Sequence, residues 1–77
     1  MSILPMLRAT EVIRALKKAG FVEVRRSGSH VQLRYLNDSR YRSTVPMHSK
    51  DLSRRIFRSI LKQSGLSIKE FLKLLNK

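Results

Sequence analysis

The chain contains no cysteine, and only 5 of its 77 residues are acidic. Without cysteine, neither a disulfide framework nor a thiolate zinc site can stabilise it. No apolar run is long enough to span a bilayer, and the N-terminal stretch lacks the basic start and long apolar core of a signal peptide. We therefore expect a single cytoplasmic domain over residues 1–77, stabilised by one small apolar core.

Positive charge is the strongest compositional signal. Lysine and arginine number 17, which gives a formal net charge of +12. Charge of one sign destabilises a compact chain by self-repulsion, so a polyanionic partner is a natural explanation. The basic residues are spread over the chain and not confined to one amphipathic helix, which favours nucleic acid over an anionic membrane. An acidic protein partner, or a basic surface that only faces solvent, also fits this charge.

The first third of the chain predicts one helix. Apolar residues recur at helical spacing over residues 8–20. Lys17 and Lys18 lie in the last turn and Gly20 follows it, which suits the helix dipole and a left-handed C-terminal cap.

The middle of the chain alternates with a period of two and predicts three antiparallel strands over residues 21–26, 30–35 and 40–45. A turn at residues 27–29 joins the first two strands. The third strand stops at Pro46, which cannot donate to a ladder. On the second strand we expect one face to pack on helices and the other to stay open. The packed face carries Val31, Leu33 and Tyr35, and the open face carries His30, Gln32 and Arg34.

The last third of the chain is predicted to be helical again. Ser53 can cap a helix over residues 54–64, and Ser67 with Glu70 forms a capping box for a short final helix. The order α-β-β-β-α with a short extra C-terminal helix predicts an α+β fold, in which helices cover one face of a three-stranded antiparallel sheet. This is also the element order of the double-stranded-RNA-binding domain.

Residues 25–31, RRSGSHV, concentrate the candidate functional groups. Guanidinium groups, hydroxyls, exposed amides and a glycine that permits close approach all suit phosphate. The candidates for RNA binding here are Arg25, Arg26, Ser27, Gly28 and Ser29. Imidazole suits proton transfer at neutral pH, which makes His30 the candidate catalytic residue for attack of a 2′-hydroxyl on its neighbouring phosphate. On these residues alone, a surface histidine beside an ordinary turn is the more usual interpretation.

Further cations are candidates for phosphate contact. Arg34 follows on the second strand, and Arg54, Arg58 and Lys62 form a strip along the second predicted helix. Such a strip is more often a solvated face, but the net charge favours contact with RNA. Arg40 and Arg42 on the third strand have less support.

The second histidine, His48, follows Pro46 after the third predicted strand. We favour a structural or hydrogen-bonding role for it over that of a second proton carrier. Two histidines without cysteine or a carboxylate cluster make a poor metal site, so we expect neither a metal nor another cofactor.

Four segments, taken in order, resemble the HicA family of small toxins over about residues 8–75. They are VIRALKKAGF, RRSGSHVQLRY, VPMH and RSILKQSGLSIKEFLKLL. The resemblance implies a fold like that of the double-stranded-RNA-binding domain, ribonuclease activity on messenger RNA, and His30 as the catalytic histidine. It also implies a cognate HicB antitoxin that covers the site. One departure is the entry to the second helix, where a common Gly-Thr pair is replaced by DLSRRIF.

Two hypotheses from different classes remain open. The leading one is a metal-independent endoribonuclease toxin. The alternative is a non-catalytic RNA-binding module that recognises A-form shape through 2′-hydroxyl and phosphate contacts. A helix-turn-helix DNA-binding protein fits badly, because three strands occupy the middle of the chain.

Overall fold

The computed structural model describes residues 7–47 and 52–75. Its elements are α1 (Ala9–Ala19), β1 (Phe21–Ser27), β2 (His30–Tyr35), β3 (Arg42–Pro46), α2 (Arg54–Ser64) and α3 (Ile68–Leu75). The strands form one antiparallel sheet in the order β1-β2-β3. The apolar side chains of the helices pack on one face of this sheet. The predicted α+β fold is confirmed.

Helix α1 begins and ends where its sequence dictates. The Glu11 carboxylate accepts a hydrogen bond of 3.1 Å from the backbone N–H of Arg8, which satisfies one donor at the start of the helix. Gly20 ends the helix in the left-handed conformation, with φ 112°. A Cβ at this position would lie 2.9 Å from the Tyr35 ring, so the close packing of β2 on the end of α1 also requires glycine.

The core is built around the central strand. Val31 and Leu33 of β2 are fully buried between the other strands and the helices. Phe57 of α2 and Phe71 of α3 meet edge to face, with ring centroids 4.9 Å apart. The other fully or nearly buried apolar residues are Leu7, Ala9, Val12, Ile13, Ala15, Leu16, Phe21, Val45, Leu52, Ile60 and Leu61. This core fixes which face of each strand is turned away from solvent.

Strand β3 is an edge strand, and α2 covers part of its edge. The backbone N–H of Thr44 donates to Oε1 of Gln63 at 3.3 Å. Gly65, which follows α2, lies against the ring of Tyr41, which precedes β3. Helix α2 therefore runs antiparallel to β3, and its N-terminal end points toward the end of the sheet where Pro46 pairs with His30.

The third strand occupies residues 42–46 and not the predicted 40–45. It begins later because Asp38 organises a turn: its carbonyl accepts the Tyr41 N–H at 3.1 Å, and its carboxylate accepts the Arg40 N–H at 3.1 Å. Pro46 is included because its nitrogen faces the outer edge of the sheet, on the side where Thr44 donates to α2, so no ladder bond is lost.

The predicted capping box of α3 is confirmed. The Ser67 hydroxyl accepts the Glu70 N–H at 3.1 Å, and the Glu70 carboxylate accepts the Ser67 N–H at 2.9 Å. Hydrogen bonds from the Ser67 backbone, then from its side chain, lower the pKa of Glu70 below its usual range. A carboxylate whose pKa is lowered by folding stabilises the folded state. For Glu70 this stabilisation is present above the ordinary pKa of glutamate and is lost as the pH falls through the lowered value.

We predict that Ser43→Ala stabilises the protein by about 1 kcal/mol, because the Ser43 hydroxyl is buried without a hydrogen-bond partner. Chemical denaturation of wild type and variant measures the difference. Ser64→Ala is the matched control: Ser64 is also buried, but its hydroxyl donates to the Leu61 carbonyl at 3.0 Å and accepts from the Leu66 N–H at 3.3 Å. The control should be less stable than wild type. A destabilised Ser43→Ala would contradict this account.

Candidate nucleic-acid interface

His30 lies on the face of the sheet that the helices leave open. It is the first residue of β2, is exposed, and pairs with Ser27 on one side and Pro46 on the other. The turn before it places Gly28 at φ 58°, as in a type II′ hairpin turn. The Met47 N–H donates to the Ser29 carbonyl and ties this turn to the end of β3. The imidazole thus lies at the end of a hairpin that is hydrogen-bonded to β3, and it faces away from the core.

A β-bulge in β1 decides which arginine shares the face of His30. The pairing register shifts between Glu23 and Arg25, leaving Val24 without a partner. Arg25 is therefore opposite Gln32 on the open face. Arg26 is opposite the buried Val31, which places it on the other side of β1.

Arg26 is also engaged in an ion pair. Its guanidinium lies 3.3 Å from the carboxylate of Glu23, which shares its side of the strand. The two adjacent arginines of the sequence thus occupy different environments. The structure brings Arg25, Ser27 and Arg34 onto the face of His30 and directs Arg26 elsewhere.

The open face is cationic and has no acidic residue among the described positions. Arg34 of β2 is directly opposite Arg42 of β3, and Gln32 is opposite Thr44. Like charges directly opposite one another on a sheet are destabilising. Neither of these arginines, nor Arg25, forms an ion pair within residues 7–47 and 52–75. This arrangement favours a polyanion that lies across the sheet.

Apolar side chains border the arginines. Val22 and Val24 of β1 are 40% and 49% exposed, and Val22 is opposite Arg34 on the open face. Together these side chains make a surface with guanidinium groups for phosphates and aliphatic groups for riboses or bases. We name the polar and charged part of this surface the open-face row, defined as Arg25, Gln32, Arg34, Arg42 and Thr44.

The second candidate set lies on α2. Arg54, Arg58 and Lys62 are all exposed along this helix, which Ser53 caps by accepting the Ile56 N–H at 3.2 Å. No acidic residue occupies the first turn, where Arg54 and Arg55 oppose the helix dipole. Each such charge typically costs about 0.3–1 kcal/mol. The placement of these cations is unfavourable for the isolated helix and suits an anionic partner.

Arg40 differs from Arg42 in its environment, although the sequence gives both the same weak support as phosphate contacts. The Arg40 guanidinium donates to the Asp38 carboxylate at 2.8 Å, and this side-chain hydrogen bond is the main reason why the pKa of Asp38 is lowered. Arg40 is therefore occupied locally, whereas Arg42 joins the open-face row. The sequence signal that separates them is the short spacing between Asp38 and Arg40.

His48 lies outside the described residues. Within residues 7–47 and 52–75, no three histidine or acidic side chains come close enough to hold a metal ion. In the same part of the chain, no helix has the length and apolar character needed to cross a membrane.

An apolar groove of about 430 Å³ lies at the opposite end of the sheet from His30. It is lined by Ala19, Tyr35, Leu66, Glu70, Lys73 and Leu74. It offers neither histidine nor arginine, so the open face, although shallow, is the better candidate for phosphate chemistry.

We predict that Arg42→Gln raises stability by a few tenths of a kcal/mol at low salt, because it removes the repulsion from Arg34. Thermal or chemical denaturation at several salt concentrations measures this gain, which should shrink as salt screens the charges. Arg40→Gln should show no gain, because Arg40 is paired with Asp38. Equal effects of the two substitutions would contradict the assignment of Arg42 to a repulsive pair.

Comparison with known proteins gives one family. A family model described as "HicA toxin of bacterial toxin-antitoxin" matches residues 9–66, which is most of the chain. The search of curated proteins gave no significant match. The matched range includes all three strands and α2, and with them His30 and both cationic sets.

Proposed function

Because the chain belongs to the HicA toxin family, and is thus a toxin of a toxin–antitoxin system, we propose that it is an endoribonuclease that cleaves messenger RNA without a metal ion. The catalytic residue of this proposal is His30. The observation that carries it is the exposed imidazole on the open face, in company with arginines that have no acidic partner among the described residues.

The reaction follows from the groups available. The 2′-oxygen of one nucleotide forms a bond to the adjacent phosphorus, and the bond from phosphorus to the 5′-oxygen breaks. The attacking hydroxyl loses a proton and the leaving oxygen gains one, so a proton carrier is needed at each. His30 serves one of these roles, and water or a further group serves the other.

The arginines supply the electrostatic part of catalysis. Negative charge accumulates on the phosphoryl oxygens as the new bond forms, and fixed cations stabilise it. Arg25 is the closest candidate by register, because its partner Gln32 is two residues from His30 on the same face. Arg34 and Arg42 of the open face then bind the flanking backbone, while the α2 cations offer a separate phosphate contact beside the edge of β3.

We further infer that the antitoxin is of the HicB type and that it inhibits by covering the open face. A protein surface with acidic side chains would satisfy the same unpaired guanidinium groups that RNA uses. Occupation by the antitoxin and by RNA would then be mutually exclusive.

The alternative is an RNA-binding module without catalysis. One observation favours it: among the described residues of the open face, His30 is the one side chain suited to proton transfer at neutral pH, whereas cleavage needs a proton carrier at each of two oxygens. A binding module needs only the arginines.

We expect induction of the wild-type chain to arrest growth and degrade messenger RNA, whereas His30→Ala is folded and harmless. Loss of one proton carrier should lower the cleavage rate of purified protein by about 10²-fold or more. Because His30 is exposed, the circular dichroism of the variant should match that of wild type. Because the proposed mechanism needs no metal ion, a chelator should leave wild-type cleavage unaffected.

Equal cleavage by wild type and His30→Ala would remove the catalytic assignment. Loss of activity with chelator would instead show that cleavage depends on a metal ion. If neither protein cleaves but both bind RNA with steep salt dependence, the binding module is the correct function.

The bulge in β1 generates a second prediction, measured as RNA affinity in the His30→Ala background. Arg25→Gln should weaken binding and lower the salt slope by about 0.7, the value for one phosphate contact on a single strand. Arg26→Gln, with the same change of charge, should have a clearly smaller effect, because that guanidinium is paired with Glu23 away from the open face. Equal losses for the two variants would contradict this placement.

A further inference from the structure

We propose that the open-face row binds RNA on one flank of the scissile phosphate only. This inference rests on the proposed nuclease function and extends it to the way in which the substrate is held. A single strand of RNA would lie along β2, with the scissile phosphate at the end marked by His30 and the nucleotides of one flank on the arginines.

The position of His30 at the end of its strand carries this inference. His30 is the first residue of β2, and the residues before it form the hairpin turn, which contains Gly28 and Ser29 and no cation. Arg34 is four residues further along the same strand, or about 13 Å at the rise of a β-strand. Within the part of the chain that the structure describes, the open face of the sheet therefore carries cations on one side of His30 and none on the other.

The remaining members of the row lie on the same side. Arg25 is opposite Gln32, and Arg42 is opposite Arg34. A strand of stacked nucleotides carries one phosphate per 3.4 Å, so about 13 Å corresponds to about four phosphates, and to fewer if the strand is extended. The row is thus long enough for a few nucleotides of one flank.

Among the described residues, the other candidate cations lie on surfaces separate from the row. Arg26 faces the other side of β1 and is paired with Glu23. The strip Arg54, Arg58 and Lys62 belongs to α2, beside the edge of β3 and not on the open face. Removing arginines from the row should consequently affect one flank of the substrate selectively.

The test uses four synthetic RNAs that share one mapped cleavage site. One has a minimal core, one is extended by four nucleotides on the 5′ side, one on the 3′ side, and one on both sides. With wild-type protein, we expect one flank to raise kcat/KM at least tenfold over the core. In the double variant Arg34→Gln with Arg42→Gln, the gain from that flank should fall to near onefold, while any gain from the other flank is kept.

The control is Arg14→Gln with Lys17→Gln, which removes the same charge from exposed positions of α1. It should retain the flank preference. Equal reduction of both flanks by the open-face variant, or equal effects of the two double variants, would show a general attraction to charge and overturn the inference. If wild type cleaves with dependence on His30 but neither flank matters, only this inference fails. If no RNA is cleaved, the proposed nuclease function fails and this inference fails with it.

Discussion

The alternation of β2 is the constraint on which the rest of the structure depends. This central strand buries Val31 and Leu33 among the helices and thereby turns His30 and Arg34 to the open side. A slip of one residue would exchange the two faces and place an imidazole and a guanidinium in the core. Hydrogen-bonded neighbours on both sides of β2 hold the register. The position of the candidate catalytic group is therefore fixed by apolar burial on the other face of the same strand.

The division of the sheet into a packed face and an open face collects cations on the open side, and the placement of these and other cations destabilises the protein when no partner is bound. Arg34 is opposite Arg42, and two arginines begin α2 at the positive end of its dipole. Such placements lower the free energy of unfolding, which is already small in a domain with a small core. Conflicts between local preference and structure are expected where function needs them. The proposed ribose-phosphate backbone, or an acidic antitoxin surface in its place, would relieve the same repulsion.

Much of the fold could be predicted from the sequence because its signals are local. The period of two in residues 30–35, the glycine after α1 and the Ser67–Glu70 capping box each report a structure formed by near neighbours. The limits of β3 were less predictable: the turn at Asp38 delays its start, and Pro46 is accommodated because its register with β2 turns its nitrogen to the outer edge of the sheet. That second effect is tertiary and has no signal within the strand.

The site was predictable in part for the same reason. The exposure of His30 follows from alternation, and the structure confirms that placement. The bulge at Val24 does not follow, because no glycine marks it, and it separates Arg25 from Arg26. The opposition of Arg34 and Arg42 required the register between two strands. The sequence therefore predicts an exposed imidazole with arginines nearby, whereas the choice among those arginines depends on the sheet.

The most direct test of the account replaces a single 2′-hydroxyl by hydrogen in an RNA substrate, at the nucleotide 5′ to the mapped cleavage site. With chelator present, the account predicts that the wild-type chain cleaves the all-ribose strand, leaves a 2′,3′-cyclic phosphate and a 5′-hydroxyl, and leaves the deoxy-substituted strand intact at that site. Cleavage of the substituted strand at an undiminished rate would contradict attack by the neighbouring hydroxyl, and with it the role given to His30.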